Sequence, residues 1–188
     1  MEIDTKTALL NSAEFAVRSR GFDGFSYADL AEEVGIRKAS IHYHFPTKAA
    51  LSAALMDRYH TELTGRCAEI EETHDTAGKR MRALIALYRA AMNDGQTLCL
   101  CVSLIISRES LSKEATDKIR AFRRMMTRWI EEVFTLGKAD LSIVGVGDPK
   151  AEARATLALL EGAHLTARAE ISVQTFDEAA EILKARCL

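Results

Sequence analysis

Between Ser26 and Pro46 the chain carries two apolar helical patterns of about two turns each, residues 27–34 and 37–44, with Gly35 between them. Glycine there supplies the left-handed backbone that a tight turn needs. Pro46 stops the second pattern, because the residue before a proline is pushed out of the helical region. Ser26 stands where an N-cap belongs, and Asp29 follows three residues on as the acid of a short capping box. Two short helices joined by a glycine turn are the signature of a helix-turn-helix.

The rest of the chain is punctuated as sparingly as an all-α protein requires. Two prolines and ten glycines in 188 residues leave room mainly for Ala, Leu, Glu, Arg and Lys, the strongest helix formers. A first helix over residues 5–20 is announced by Asp4 or Thr5 and ends at Gly21. Thr47 caps a long fourth helix reaching about residue 72, in which Leu51, Leu55, Tyr59 and Leu63 recur every four positions. Residues 73–78 are a polar break, residues 79–92 a fifth helix, and Asn93-Asp94-Gly95 its turn. Residues 98–107 form the most apolar, and hence a buried, segment. Residues 112–136 are a long amphipathic helix, followed by a loop over 137–147 in which Leu141-Ser142-Ile143-Val144 is the candidate for extended chain. Asp148-Pro149 opens a helix in the preferred cap and first-turn order, and Thr175 is the candidate cap of the last. The count is eight or nine helices, without internal repeat or low-complexity tract.

Charge alone points away from nucleic acid: 25 Lys and Arg against 27 Asp and Glu give a formal net charge of −2. The layout reverses that inference. Residues 1–36 hold three basic against seven acidic side chains, whereas residues 37–48 hold Arg37, Lys38 and Lys48 and no acid. A modestly acidic protein arranged this way can still bind DNA, with weak non-specific affinity and marked salt dependence. No stretch approaches the roughly 20 apolar residues of a membrane span, and Met1-Glu2-Ile3-Asp4 is neither a basic nor an apolar signal region, so a cytoplasmic protein without membrane contact is expected.

Residues 8–55 resemble the TetR (tetracycline repressor-like) family of bacterial transcription regulators. The resemblance rests on Ala13-Glu14-Phe15-Ala16, Gly21-Phe22, Ser26-Tyr27-Ala28-Asp29-Leu30-Ala31 and Val34-Gly35-Ile36. Above all it rests on Lys38-Ala39-Ser40-Ile41-His42-Tyr43-His44-Phe45-Pro46-Thr47-Lys48-Ala49-Ala50-Leu51. It implies an N-terminal three-helix DNA-binding domain (residues 1–47) and a C-terminal helical ligand-binding and dimerisation domain (residues 48–188). The implied protein is a homodimeric repressor of a palindromic operator in double-stranded DNA, released by a small, mostly apolar effector. The physics of the segment agrees. On a helical wheel Ile41 and Phe45 share a face that docks on the first two helices, while Ala39, Ser40, His42 and Tyr43 spread over the opposite face. Small Ala39 permits close approach to a base edge, Ser40 donates or accepts, His42 and Tyr43 reach phosphate or bases, and Lys38 and Lys48 are point charges for the backbone. The expected DNA-binding set is Ser26, Tyr27, Lys38, Ala39, Ser40, His42, Tyr43, Thr47 and Lys48. On this reading Lys48→Ala lowers the salt slope of binding by about 1. A lysine taken singly is more often a solvated charge; the motif decides otherwise. His44 is read as supporting the turn. The family commonly has tyrosine where this chain has His42, which keeps a hydrogen-bond donor, shortens the reach and can add a mild pH dependence.

For the second half, the resemblance implies an effector pocket. The candidate lining is Met56, Tyr59, His60, Leu63, Cys99, Leu104, Phe122, Met125, Met126, Trp129 and His164: soft apolar walls with a few polar tips. The same stripe at helical spacing also describes ordinary core. The last two helices carry Ala155, Leu159, Gly162, Ala163 and Thr166, then Ala179, Ile182 and Leu183; such small-and-large stripes let two protomers approach closely, and the resemblance places the homodimer interface there.

Cys99 and Cys101, spaced i, i+2, point about 160° apart on a helix, so neither a chelate nor a mutual disulfide is expected of them there. A thiol at a helix N-terminus is activated by the dipole, and the alternative function is a redox- or electrophile-sensing repressor acting through Cys99 or Cys101. Buried cysteine as a small hydrophobe is the commoner outcome. His60, Cys67 and His74 share a helix face but rise about 10 Å per step, too far for one metal ion. Without a glycine-rich phosphate loop, a nucleophile elbow or a paired histidine and carboxylate, no enzyme activity, cofactor or metal is expected. An all-helical enzyme or small-molecule carrier that keeps the helix-turn-helix as scaffold is the third reading.

Overall fold

Asp4 opens the first helix: its carboxylate accepts from the backbone N–H of Lys6 (2.8 Å) and Thr7 (3.4 Å), groups that no helical carbonyl reaches. The computed structural model describes residues 4–188, so the reading of Met1-Glu2-Ile3 as no signal region lies outside the described residues. Nine α-helices follow among them: α1 Thr5–Arg20, α2 Tyr27–Val34, α3 Lys38–His44, α4 Lys48–Thr73, α5 Ala77–Ala90, α6 Leu100–Ile106, α7 Lys113–Asp140, α8 Pro149–Glu170 and α9 Val173–Lys184. The fold is all-α, as expected.

The chain divides into two compact units, one comprising the chain up to Thr61 with Leu100–Ala121, the other Glu62–Cys99 with Phe122–Leu188. In the first, Leu9, Leu30, Ile41, Leu51 and Leu55 are fully buried, so α1 to α4 each contribute to one core. Arg58 of α4 ties that helix to α1, donating to Asn11 Oδ1 (2.7 Å), the Leu10 carbonyl (3.0 Å) and Glu14 Oε2 (2.6 Å). The Ser26–Asp29 capping box forms as expected, and Gly35 closes α2 at φ 73°, where a β carbon would be strained.

In the second unit α8 packs on α9, and α5 on α9. Three of the boundaries that differ from the sequence expectation have a visible cause. Helix α5 starts at Ala77 rather than 79, because distant groups satisfy its first donors: Asp140 accepts from the Ala77 N–H (2.9 Å) and Ser142 Oγ from the Gly78 N–H (2.8 Å). Helix α7 runs through Gly137 to Asp140 instead of ending at 136; a β carbon at Gly137 would lie 2.8 Å from the Ile143 side chain, so glycine here admits a returning chain. Helix α9 begins after Ser172, not Thr175. Ile171, left-handed at φ 52°, ends α8 and lets the next helix start two residues on, leaving the Thr175 hydroxyl to donate to Glu170 (2.6 Å). The candidate extended segment does pair: Ile143 bridges Cys187 in antiparallel fashion.

Candidate nucleic-acid interface

Helix α3 buries Ile41 and leaves Lys38, Ala39, His42 and Tyr43 exposed, with Ser40 half-buried between them. Tyr43 is 84% exposed, an unusual position for an aromatic ring that has a core nearby. A groove of about 520 Å³ runs along this helix, lined by Thr5, Ile36, Arg37, Ala39, Ser40, Tyr43 and His44. Four of those residues, Thr5, Ile36, Arg37 and His44, lie outside the expected set. Arg37 had a legible signal, a basic side chain in an acid-free run; Thr5 is placed there only by the packing of the first unit. The chain enters α4 through Thr47, whose hydroxyl accepts from the Ala50 N–H (3.1 Å).

Two members of the expected set are committed within the unit. Tyr27 is buried and its hydroxyl donates to the Phe45 carbonyl (2.9 Å), which docks α2 on the end of α3; burial pushes the phenol up to about 12. Lys48 donates to the carbonyls of Phe22 (2.6 Å) and Phe25 (2.7 Å), and burial lowers the ammonium pKa against the pull of Asp23 and Asp29. Ser26 is exposed but its side chain and backbone are taken up with the capping box. Backbone and side-chain bonds from Ser26 hold the Asp29 carboxyl below the ordinary aspartate value, so the acid near the α2 start stays ionised. The structure thus brings together Lys38, Ala39, Ser40, His42, Tyr43 and Thr47 with Arg37, and sets Tyr27 and Lys48 behind them as supports.

The expected effector-lining residues fall in both units. In the first, Met56, Tyr59 and Leu104 are buried and His60 is half-buried; in the second, Cys99, Phe122, Met126, Trp129 and His164 are buried, with Leu63 and Met125 half-buried. His164 is fixed by backbone on both sides: its Nδ1 accepts from the Cys99 N–H (3.2 Å), so the proton sits on Nε2, which donates to the Tyr88 carbonyl (2.9 Å). Tyr88 and Phe176 pack edge-on against the ring. Trp129 donates from its indole to Glu71 (2.8 Å). Along α7 lies a charged recess that sequence spacing did not signal, about 270 Å³ between Arg123, Arg124, Thr127, Arg128, Glu131 and Arg154. Among the described residues no His, Cys, Asp and Glu side chains cluster to hold a metal ion, and no helix is long and apolar enough to cross a membrane.

Residues 9–55 match the family model for bacterial regulatory proteins of the tetR family. Two curated relatives from Pseudomonas putida, the HTH-type transcriptional regulator TtgR and the probable HTH-type transcriptional regulator ArpR, are each 30% identical over 96 residues. That match covers 50% of this chain and 46% of each relative, so the chain spans about half the length of the curated proteins it matches. A solved TetR-family transcriptional regulator from Agrobacterium tumefaciens superposes with a TM-score of 0.91 at 31% identity, over 97% of this chain and 96% of that one. The chain belongs to the TetR family. The reduced form of NemR from E. coli shares the fold, with a TM-score of 0.81 at 24% identity over 98% of each chain. As in TetR-family proteins generally, a helix-turn-helix precedes a wholly helical remainder, and the family is one of DNA-binding transcriptional regulators rather than enzymes.

Proposed function

We propose that this TetR-family chain is a repressor that binds a palindromic operator as a homodimer, α3 of each protomer entering successive major grooves, and that a small, mostly apolar effector releases it. The observation that carries the reading is the exposed face of α3. Arg37, Lys38, Ala39, His42 and Tyr43 stand clear of any acidic neighbour in residues 37–48 and are backed by the anchored Tyr27 and Lys48. Residues 1–47 act as the reading head and residues 48–188 as the effector and dimerisation part. The exposure of Leu165 on α8 and Ile182 on α9 supports an interface between copies along those helices. A cytoplasmic location goes with this function.

A gel-shift series with the duplex DNA upstream of the chain's own gene tests the proposal. Saturable binding at low salt that weakens steeply with salt is expected; no saturable binding at any salt concentration overturns it. Sedimentation of the free protein at twice the 20.8 kDa chain mass is expected, and a monomer at micromolar concentration overturns the dimer. The thiol-sensing alternative draws no support from the site, since Cys99 and Cys101 are 1% and 0% exposed.

A further inference from the structure

His42 is held on α3 in a way that decides what its free nitrogen can do. Its Nδ1 lies 3.2 Å from the carbonyl oxygen of Pro46, and a carbonyl only accepts, so Nδ1 carries a proton in the neutral ring. The Tyr27 ring packs edge-on against the imidazole, centroids 5.0 Å apart, and fixes its plane. Nε2 is therefore a bare lone pair when the ring is neutral, on an exposed side chain of the face that carries Lys38, Ala39 and Tyr43. A lone pair repels a phosphate oxygen; an Nε2–H of the imidazolium donates to it with charge assistance.

We infer that DNA binding by this protein is coupled to proton uptake at His42, whose imidazolium donates from Nε2 to a backbone phosphate of the duplex. The inference rests on the DNA-binding reading above. The groups around His42 leave the proton to the phosphate. From α2 the neighbour is Tyr27, a neutral phenol committed to the Phe45 carbonyl; of the three acids on that helix, Asp29 is committed to Ser26, and Glu32 and Glu33 are exposed near its far end. From the loop after α3 comes the Pro46 carbonyl, which takes Nδ1. On α3 itself Lys38, one turn earlier, adds a like charge. Among the described residues no ion pair includes His42, so a backbone phosphate supplies an anion to the imidazolium in the complex.

The test is fluorescence anisotropy with a labelled duplex of about 30 base pairs from upstream of the chain's own gene, at fixed ionic strength from pH 6 to 8.5. Wild type is expected to bind more tightly as pH falls, approaching about tenfold per pH unit for each histidine protonated on binding. His42→Gln is expected to bind with that pH dependence removed, His44→Gln to retain it, and circular dichroism checks that both fold. The salt slope of wild type, but not of His42→Gln, should steepen by about 0.9 per protomer between pH 8.5 and pH 6. A wild type with flat affinity, or a His42→Gln protein as pH-dependent as wild type, overturns the inference while the DNA reading stands. Absence of saturable binding by every protein at every pH overturns the DNA reading and the inference with it.

Discussion

Lys48 Nζ lies 2.7 Å from the carbonyl oxygen of Phe25 and 4.1 Å from the centroid of that residue's ring. The same ammonium lies 2.6 Å from the Phe22 carbonyl and 4.7 Å from the Phe22 ring, so one side chain at the start of α4 gathers both ends of the turn between α1 and α2. Two of its three N–H donors are used there. Lys48→Met keeps the aliphatic stem and removes two charge-assisted hydrogen bonds and the cation–π contacts; a loss of about 2 kcal/mol, or roughly 4–8 °C in Tm, is expected. The salt slope of DNA binding should change by much less than the one unit that a freely extended phosphate-binding lysine implies. A slope reduced by about 1 at unchanged Tm would return Lys48 to the DNA.

That reassignment marks where sequence reading ends. Local signals reached the helix ends they control: Asp4, Ser26 with Asp29, and Asp148-Pro149 each cap the helix they announce. They missed the ends set from afar. Nothing near Gly137 says that Ile143 folds back onto it, and nothing near Ala77 says that Asp140 and Ser142 take up its first N–H groups. The site divides the same way. The exposed face of α3 was legible because one face of a short helix has to dock, but residue type alone does not tell a lysine facing phosphate from one facing two carbonyls. The partners of Lys48 are 23 and 26 residues away in the chain.

Acid well below neutrality should loosen the second unit. The Arg186 guanidinium donates to Glu152 at 2.8 and 2.9 Å and holds that carboxyl below its ordinary value; Arg89 does the same for Asp177. A carboxyl depressed in the folded state stabilises it above the unfolded-state pKa, and the contribution disappears as pH falls through the lower, folded value. Thermal unfolding is therefore expected to be flat in these groups from pH 8 to 5 and to fall below about pH 4. Glu152→Gln should lower Tm at pH 7 by the equivalent of about 1 kcal/mol or less and shrink the drop between pH 7 and pH 3. An undiminished drop in that variant would assign the acid sensitivity elsewhere.

His164 offers a sharper stability test, because its ring fills a buried site and serves backbone on two sides. His164→Phe preserves most of the volume between Tyr88 and Phe176 but withdraws the acceptor from the Cys99 N–H and the donor from the Tyr88 carbonyl. A loss of about 2–4 kcal/mol is expected from withdrawing two buried partners. Urea unfolding followed by the single Trp129 reads this in the same unit. A midpoint within error of wild type would show that packing alone holds this part of the second unit.

The four thiols give the last prediction. Cys67, Cys99, Cys101 and Cys187 are all reduced thiols, and all are buried. Burial, reinforced by the nearby Glu71 carboxylate, pushes the Cys67 thiol up to about 12, and burial also raises Cys187 against the opposing pull of Arg82 and Arg186. Only the thiolate attacks an electrophile, so a buried thiol of raised pKa reacts slowly on two counts. Intact-mass analysis after an hour with millimolar iodoacetamide at pH 7.5 is expected to show unmodified native protein, and four adducts after unfolding in guanidinium chloride. Rapid single labelling of the folded protein at Cys99 or Cys101, accompanied by loss of DNA affinity, would instead establish the thiol-sensing alternative, because burial in the resting state would then be a gate rather than a barrier.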